Sequence, residues 1–319
     1  MLHLPARDIP VPTSISEEAQ AVLARGPLGP APDYPSPEDL DGWRKMIADG
    51  DAASAQMLGG LFSAVADNVE KKDLGGFPVY IITPEGVSPD DRRTYLDIHG
   101  GAWIFGGGAM CRGTGTSTAA IVGARVWAVD YRMPPDHPYP AALDDCLAAY
   151  RALLEERRPE EIIVGGASAG GNLAAALMLR IRDEGLPLPA ALVLSTPATD
   201  LTGAGDTIHT NLGLDTVLPD RAEPAARLYA GDHDMRDPYL SPVFGDFTKG
   251  YPPTVLLTGT RDLLLSDTVR LHRALRAAGV PAELHVFEAA GHGIFLGQAP
   301  EDREHAREIR SFADRHWAA

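Results

Sequence analysis

Short runs of β-branched and aromatic residues recur along most of the chain. Longer segments between them carry apolar residues at helical spacing. The runs Phe77–Thr83, Arg93–Ile98, Val126–Tyr131, Ile162–Val164, Ala191–Ser195, Thr254–Thr258 and Ala282–Phe287 predict strands. The segments Pro140–Glu156, Gly170–Asp183, Ser266–Ala278 and Pro300–Trp317 predict helices, and Gly279 is placed to stop the third of these. Short buried strands that alternate with helices imply an α/β fold with a mainly parallel sheet and right-handed crossovers. The alternation lapses between Asp200 and about Asp237, where no strand is expected and helical character gathers near Pro219–Tyr229. An insertion after a sheet strand lies at the ligand-binding edge of such a fold, so this stretch reads as part of a lid.

The N-terminal segment has a different texture. Residues 1 to about 37 are rich in proline (Pro5, Pro10, Pro12, Pro27, Pro30, Pro32, Pro35, Pro37), with one helical interlude near Ser16–Arg25. Ser14 and Ser16 stand just before Glu17-Glu18 as helix caps. A second helical pattern runs from Pro37 to about Leu61 through Leu40, Trp43, Ile47 and Met57. This segment lacks the apolar volume for a domain of its own and reads as a cover. The expectation is one domain over 1–319, capped by about 1–60 and about 200–237.

One stretch organises the chemistry. Ile162-Ile163-Val164 reads as a buried strand, Gly166-Ala167-Ser168-Ala169-Gly170 has the form G-x-S-x-G, and an Ala/Leu-rich helix follows. A strand that turns abruptly into a helix strains the residue at the turn and needs small neighbours, which Gly166 and Gly170 supply. Ser168 would be held at the tip, with free N–H groups and the positive end of the helix dipole behind it. It is the candidate nucleophile. With 33 glycines in the chain a chance G-x-S-x-G is not rare, so the matching base, acid and oxyanion loop must decide.

In an α/β hydrolase those partners follow the nucleophile as Asp or Glu and then His. Asp262 falls at the carboxyl end of Thr254–Thr258, and His292 follows Ala282–Phe287 between Gly291 and Gly293. Parallel strands bring these ends to the sheet edge that carries Ser168. His292 would take the serine proton and return it to the leaving alcohol, and Asp262 would fix the imidazole tautomer. Asp267 is the rival acid, but it lies further into the following helix. The oxyanion donors would be the N–H of Ala169, after the nucleophile, and those of Gly100 and Gly101. These glycines follow a strand in His99-Gly100-Gly101-Ala102-Trp103. His99 is a second candidate base, although its more natural role is to hold that loop in shape.

These residues together resemble the hormone-sensitive-lipase-like serine esterases (bacterial family IV) of the α/β-hydrolase superfamily. His99–Trp103 is similar to the H-G-G-G-x oxyanion motif of that family, and Gly166–Gly171 to its G-D-S-A-G-G block. Asp130-Tyr131-Arg132-Met133-Pro134-Pro135-Asp136-His137-Pro138-Tyr139-Pro140-Ala141-Ala142 resembles D-Y-R-L-A-P-E-H-P-F-P-A-A. Ser241-Pro242, Pro252-Pro253-Thr254, Asp262 and Gly291-His292-Gly293 also match family positions. The resemblance covers about residue 75 to the C-terminus. It implies an α/β-hydrolase fold with a helical cap over acyl and alcohol pockets, and Trp103, Phe105, Leu212, Leu214 and Val217 become candidate pocket residues. Ala102 replaces the third glycine, and Ala167 stands where the family has Asp or Thr. In the Asp130–Ala142 segment, the prolines and an Asp130/Arg132 pair are expected to brace the fold.

Composition narrows the partners. The 319 residues hold 28 basic and 44 acidic side chains, a net charge of −16, which argues against nucleic acid and anionic membrane. Cys111 and Cys146 give no disulfide framework and no Cys/His zinc spacing. Asp232-His233-Asp234 reads as solvated surface, so no metal is expected, and neither a Walker nor a dinucleotide glycine motif occurs. No cofactor is called for. Met1–Asp8 has no signal pattern and no apolar run is long enough for a bilayer, which predicts a cytoplasmic protein. The expected partner is a small-molecule ester, with a homodimer as the one assembly considered. The leading expectation is hydrolysis of short- to medium-chain carboxylic esters through an acyl-serine. Alternatives are a lactone hydrolase or deacetylase with the same triad, and a non-catalytic ligand receptor on the same scaffold. Retention of His292 beside Ser168 and Asp262 argues against the receptor.

Overall fold

The computed structural model describes residues 6, 8–62 and 68–317. Met1–Pro5, and with them the start of the proline-rich segment, lie outside the described residues, as does the side chain of Met57. The strands β1 (Val69–Asp73), β2 (Pro78–Ile82), β3 (Thr94–Ile98), β4 (Arg125–Val129), β5 (Ile162–Ala167), β6 (Ala191–Ser195), β7 (Thr254–Gly259) and β8 (Ala282–Phe287) build one sheet. Their order is β1-β2-β4-β3-β5-β6-β7-β8. The β1/β2 and β2/β4 pairs are antiparallel and every other pair is parallel. The helices are α1 (Glu17–Ala24), α2 (Leu40–Phe62), α3 (Ala109–Val122), α4 (Ala141–Leu154), α5 (Ala169–Asp183), α6 (Thr207–Thr210), α7 (Glu223–Ala230), α8 (Leu265–Ala277) and α9 (Pro300–His316).

Side chains alternate across the sheet, so the central strands feed two cores. Leu96, Ile98, Val164, Leu194 and Leu256 pack on one face against Leu143 and Leu147 of α4, Leu173 and Leu177 of α5, and Leu271 and Leu275 of α8. Tyr95, Ile163, Val193, Val255 and Leu257 face the other way, toward Val122 of α3 and Ile309 and Phe312 of α9. Burial on both faces is why these strands read as continuous apolar runs rather than alternating ones.

The expected strands and the larger helices are all present, and three elements were not expected: β1, α3 and the four-residue α6. β1 is Val69-Glu70-Lys71-Lys72-Asp73, an edge strand with Glu70, Lys71 and Asp73 exposed, which carries no run of apolar residues. α3 contains Gly113, Gly115 and three threonines, a composition with low helix propensity. It forms because Gly115 lets the helix pack close to the sheet, where a Cβ would stand 2.6 Å from the Ala128 Cβ. The expected Asp130/Arg132 pair is not made. Arg132 turns to Asp145 on α4, with an ion pair of 2.7 Å and a backbone hydrogen bond of 2.9 Å, while Asp130 Oδ1 accepts the Gly108 N–H at 3.0 Å.

The N-terminal helices lie against the loops that follow the strands. Ser16, not Ser14, caps α1, where its Oγ accepts the Ala19 N–H at 3.1 Å. The Ser16 Oγ and N–H also donate to Glu301 at the start of α9, at 2.7 and 2.8 Å. Ala19, Val22 and Leu23 pack on Ala289, Ala290, Ile294 and Phe295 of the loop after β8. Trp43 of α2 packs with Ile104 and with Ala225 of α7, and the Leu28 N–H donates to Thr216 O at 2.8 Å.

Candidate active site

β5 ends at Ala167, and Ser168 turns the chain into α5 with φ +56° and ψ −121°. A non-glycine residue at positive φ costs on the order of 1–3 kcal/mol and persists only where its surroundings impose it. They do so here. The Ser168 N–H donates to Ser195 O on the neighbouring strand at 3.0 Å, and its carbonyl accepts from Asn172 N and Ala198 N at 3.0 and 3.1 Å. Gly170 is required at the next turn because a Cβ there would stand 1.9 Å from Ile98 O. The backbone of Ser168 is thus fully engaged, and its side chain is left at the free end of α5. Ala167 beside it is exposed.

Asp262 and His292 meet. His292 Nδ1 lies 3.2 Å from Asp262 Oδ1, and both residues are buried. Asp262 is held by two further hydrogen bonds, Thr258 Oγ1 to Oδ2 at 2.7 Å and Leu264 N to Oδ1 at 2.9 Å. A carboxylate can only accept, so Nδ1 carries a proton and the neutral ring presents a free lone pair at Nε2. Burial disfavours the imidazolium. The hydrogen bond and charge of Asp262, with the charge of Asp215, outweigh burial and leave the His292 pKa above its ordinary 6.5. Asp267 takes no part: it is buried on α8 and accepts the Asp200 N–H at 2.9 Å. Among the described residues Ser168 Oγ makes no hydrogen bond, so the serine–histidine link is open in this structure. Such links often tighten only around a substrate.

The loop after β3 closes on the serine from the other side. A Cβ on Gly100 would stand 2.9 Å from Ala167 O and 3.3 Å from Ser168 Cβ, so the backbone of Gly100 lies directly against the elbow. Gly101 has φ +117°, a conformation open to glycine, and a Cβ there would overlap Phe105 O at 2.2 Å. Ala102 and Trp103 follow at φ +51° and +63°. His99, the other candidate base, is turned away from this chemistry. Its Nδ1 lies 2.8 Å from Gly100 O and its ring stacks on Tyr131 at 4.1 Å, while Tyr131 Oη donates to His99 O at 2.9 Å. Asp51 of α2 accepts the Gly106 N–H at 3.1 Å and ties α2 to the same loop.

The structure adds residues that no motif had marked. Asp215, fully buried in the insertion after β6, accepts the His292 N–H at 3.1 Å and the Leu263 N–H at 2.9 Å. Asn211 Nδ2 donates to Thr260 O and Asp262 O at 3.1 and 2.9 Å. Asn172 on α5 accepts from Trp103 Nε1 at 3.3 Å and donates to Ala198 O and Leu240 O. Asp215 and Asn211 lie in the insertion, which carries no recognisable pattern, whereas Asn172 directly follows the Gly166–Gly171 block, where its signal is an amide at the start of an Ala/Leu-rich helix. Of the candidate pocket residues, Trp103 is buried, stacks on Tyr229 at 5.4 Å, and lines a cavity of about 30 Å³ with Ala198, Leu201, Ile208 and Leu264. Phe105, Leu214 and Val217 are half-buried and do not line that cavity. Leu212 is 56% exposed, on a turn before Gly213. Asp232, His233 and Asp234 are exposed, and the His233 ring sits edge-on to Tyr139 at 4.8 Å.

Residues 95–296, more than half of the chain, match the family model described as the alpha/beta hydrolase fold. The chain belongs to the α/β-hydrolase fold family. It is 39% identical over 204 residues to an acetyl-hydrolase of Streptomyces hygroscopicus, covering 62% of this chain and 68% of that protein. It is 33% identical over 221 residues to an esterase of Acinetobacter venetianus, covering 68% of this chain and 73% of the relative. Among solved structures it superposes on the crystal structure of esterase E25 with a TM-score of 0.88 at 36% identity, over 100% of this chain and 99% of that one. An esterase of the bacterial hormone-sensitive lipase family superposes with a TM-score of 0.80 at 30% identity, over 96% and 100% of the two chains. Within the α/β-hydrolase family this enzyme is a carboxylesterase of the hormone-sensitive-lipase-like group. No helix among its described residues is long and apolar enough to cross a membrane.

Proposed function

We propose that the enzyme hydrolyses short-chain carboxylic esters, acetyl esters foremost, through an acyl-Ser168 intermediate. The observation that carries this reading is the buried 3.2 Å contact between Asp262 and His292, set at the sheet edge where Ser168 occupies a strained elbow. His292 Nε2 takes the proton of Ser168 Oγ as the oxygen attacks the ester carbonyl. Asp262 holds the ring in the tautomer whose Nε2 is bare and stabilises the cation that forms. The oxyanion of the tetrahedral intermediate is received by the N–H of Ala169 and by those of Gly100 and Gly101. Collapse passes the His292 proton to the leaving alcohol. Water activated by the same imidazole then cleaves the acyl-serine and releases the acid.

The short acyl length proposed here follows the relative named an acetyl-hydrolase. The cavity of about 30 Å³ beside Trp103 is lined by neither Ser168 nor His292 and sets no limit on the acyl chain. We also propose that α1, α2 and the insertion around α6 and α7 form a cap over this site, since they pack on the loops that carry His292 and Gly106.

A p-nitrophenyl ester series from acetate upward tests the substrate reading. The expected result is kcat/KM highest at acetate or propionate and at least tenfold lower by hexanoate. A flat or rising profile would overturn the acyl-length proposal and leave the nucleophile untouched. An enzyme inactive on every ester would favour the receptor reading.

A further inference from the structure

The loop after β3 has a second set of polar groups beneath it that ester hydrolysis does not use. His99 at the start of that loop, Cys111 on α3 and Asp130 at the end of β4 come from three elements. One imidazole nitrogen, one thiol sulfur and one carboxylate oxygen lie within 4.8 Å of one another. His99 and Cys111 are 4% and 1% exposed, and Asp130 is half-buried.

The hydrogen bonds of His99 decide how the cluster is read. Its Nδ1 faces Gly100 O at 2.8 Å. A carbonyl can only accept, so Nδ1 carries the ring proton and Nε2 of the neutral ring is a bare acceptor. Nε2 is buried and has no hydrogen-bond partner. Buried acceptors without a partner are rare and call for an explanation. Metal-bound histidines show this same arrangement, in which one ring nitrogen donates to a backbone carbonyl and the other faces the ion. Asp130 is oriented as well, since its Oδ1 accepts the Gly108 N–H at 3.0 Å and its Oδ2 is left with a long 3.4 Å contact to Tyr80 Oη.

We propose that His99, Cys111 and Asp130 bind one borderline-soft divalent cation of the zinc type. A nitrogen, a thiolate sulfur and a carboxylate oxygen form a donor set that such ions take, and that magnesium or calcium does not. Ligand atoms around tetrahedral zinc stand about 3.5 Å apart, so rotations that close the gaps by about 1 Å complete the site, with water in the fourth position. Binding forms a cation–thiolate bond and releases the Cys111 proton to solvent. The ion would also fix the His99 ring, and through it Gly100. A buried cation is thereby joined to the loop proposed to hold the oxyanion.

The test uses the full chain, stripped with chelator and titrated with zinc alone by calorimetry. A parallel titration with cadmium alone is followed by the ultraviolet cadmium–thiolate absorption. The proposal expects one ion per chain, a thiolate band, and a zinc-dependent rise in melting temperature. Cys146→Ser should keep all three. Cys111→Ser should lose the band and bind at least tenfold more weakly, and Asp130→Asn should weaken binding by roughly tenfold or more. Absence of binding would overturn the proposal, as would unchanged affinity and band in Cys111→Ser. If Cys111→Ser does not fold, Cys146→Ser still decides, because the two cysteines are the only thiols in the chain. A band that disappears in Cys146→Ser would place the ion elsewhere and contradict the assignment.

Discussion

Asp215 Oδ1 accepts the backbone N–H of His292 at 3.1 Å, so a carboxylate from the insertion after β6 anchors the histidine of the loop after β8. The same side chain accepts the N–H of Leu263, next to Asp262, at 2.9 Å. It also accepts those of Val217 and Leu218 at 2.9 and 3.1 Å. Burial raises the pKa of Asp215, and the charge of His292 works against that rise. Asp215 therefore joins the insertion, the acid loop and the base loop, and it adds a second negative charge near the imidazole.

Replacing Asp215 with Asn should keep the shape and remove that charge. Loss of one hydrogen bond to a charged group is worth about 1.5–3 kcal/mol, or roughly ten- to a hundredfold in rate. We expect kcat to fall by that factor with KM changed by less than about threefold. The acid limb of the pH profile should also move to lower pH, which a purely structural role would not cause. A profile that superposes on the wild type would show that Asp215 does not act on His292.

The wild-type acid limb should lie above pH 6.5, because the His292 pKa is raised and only the neutral ring can accept the serine proton. The measurement is kcat/KM for a short ester against pH. A midpoint below 6.5 would contradict the Asp262 and Asp215 assignments together. In stability the same group works the other way. Its contribution is full below the unfolded value of 6.5 and is lost as pH rises through the raised folded value.

His305 carries the opposite sign. It lies on α9, with Nε2 2.9 Å from Ser195 Oγ and its ring against Phe287. Burial lowers its pKa from 6.5 to about 4, and His285 adds to the shift. The folded state therefore holds it neutral, and stability present above pH 6.5 is lost as pH falls toward about 4. The loss amounts to about 3 kcal/mol. His305→Gln should flatten the fall in melting temperature over that window. An equally steep fall in the variant would assign acid sensitivity to other groups.

Gly100→Ala tests the oxyanion loop. The added methyl would stand 2.9 Å from Ala167 O and must push the loop away from Ser168. Removing one oxyanion donor costs on the order of a hundred- to a thousandfold in kcat, so kcat should fall by about that much with KM nearly unchanged. A variant that folds and keeps wild-type kcat would remove Gly100 from the site.

The sheet and the main helices were legible because strands buried on both faces must be apolar runs, and because the glycines around Ser168 answer to a backbone need. β1 was not, since an exposed edge strand such as Val69–Asp73 has no apolar side to show. Arg132 was legible as a brace, but its partner Asp145 sits on α4, where only the fold could put it. Asp215 and the His99–Cys111–Asp130 cluster were hidden for a related reason. Their contacts join segments far apart in the chain, and no local spacing records such a contact.

The central claim is that Ser168 carries the acyl group. The direct measurement is mass spectrometry of the enzyme quenched within its first turnovers on p-nitrophenyl acetate, with Ser168→Ala alongside. One acetyl group is expected on the peptide that contains Ser168, and neither adduct nor turnover in the variant. An acetyl group on another residue, or a Ser168→Ala enzyme that still hydrolyses the ester, would contradict it.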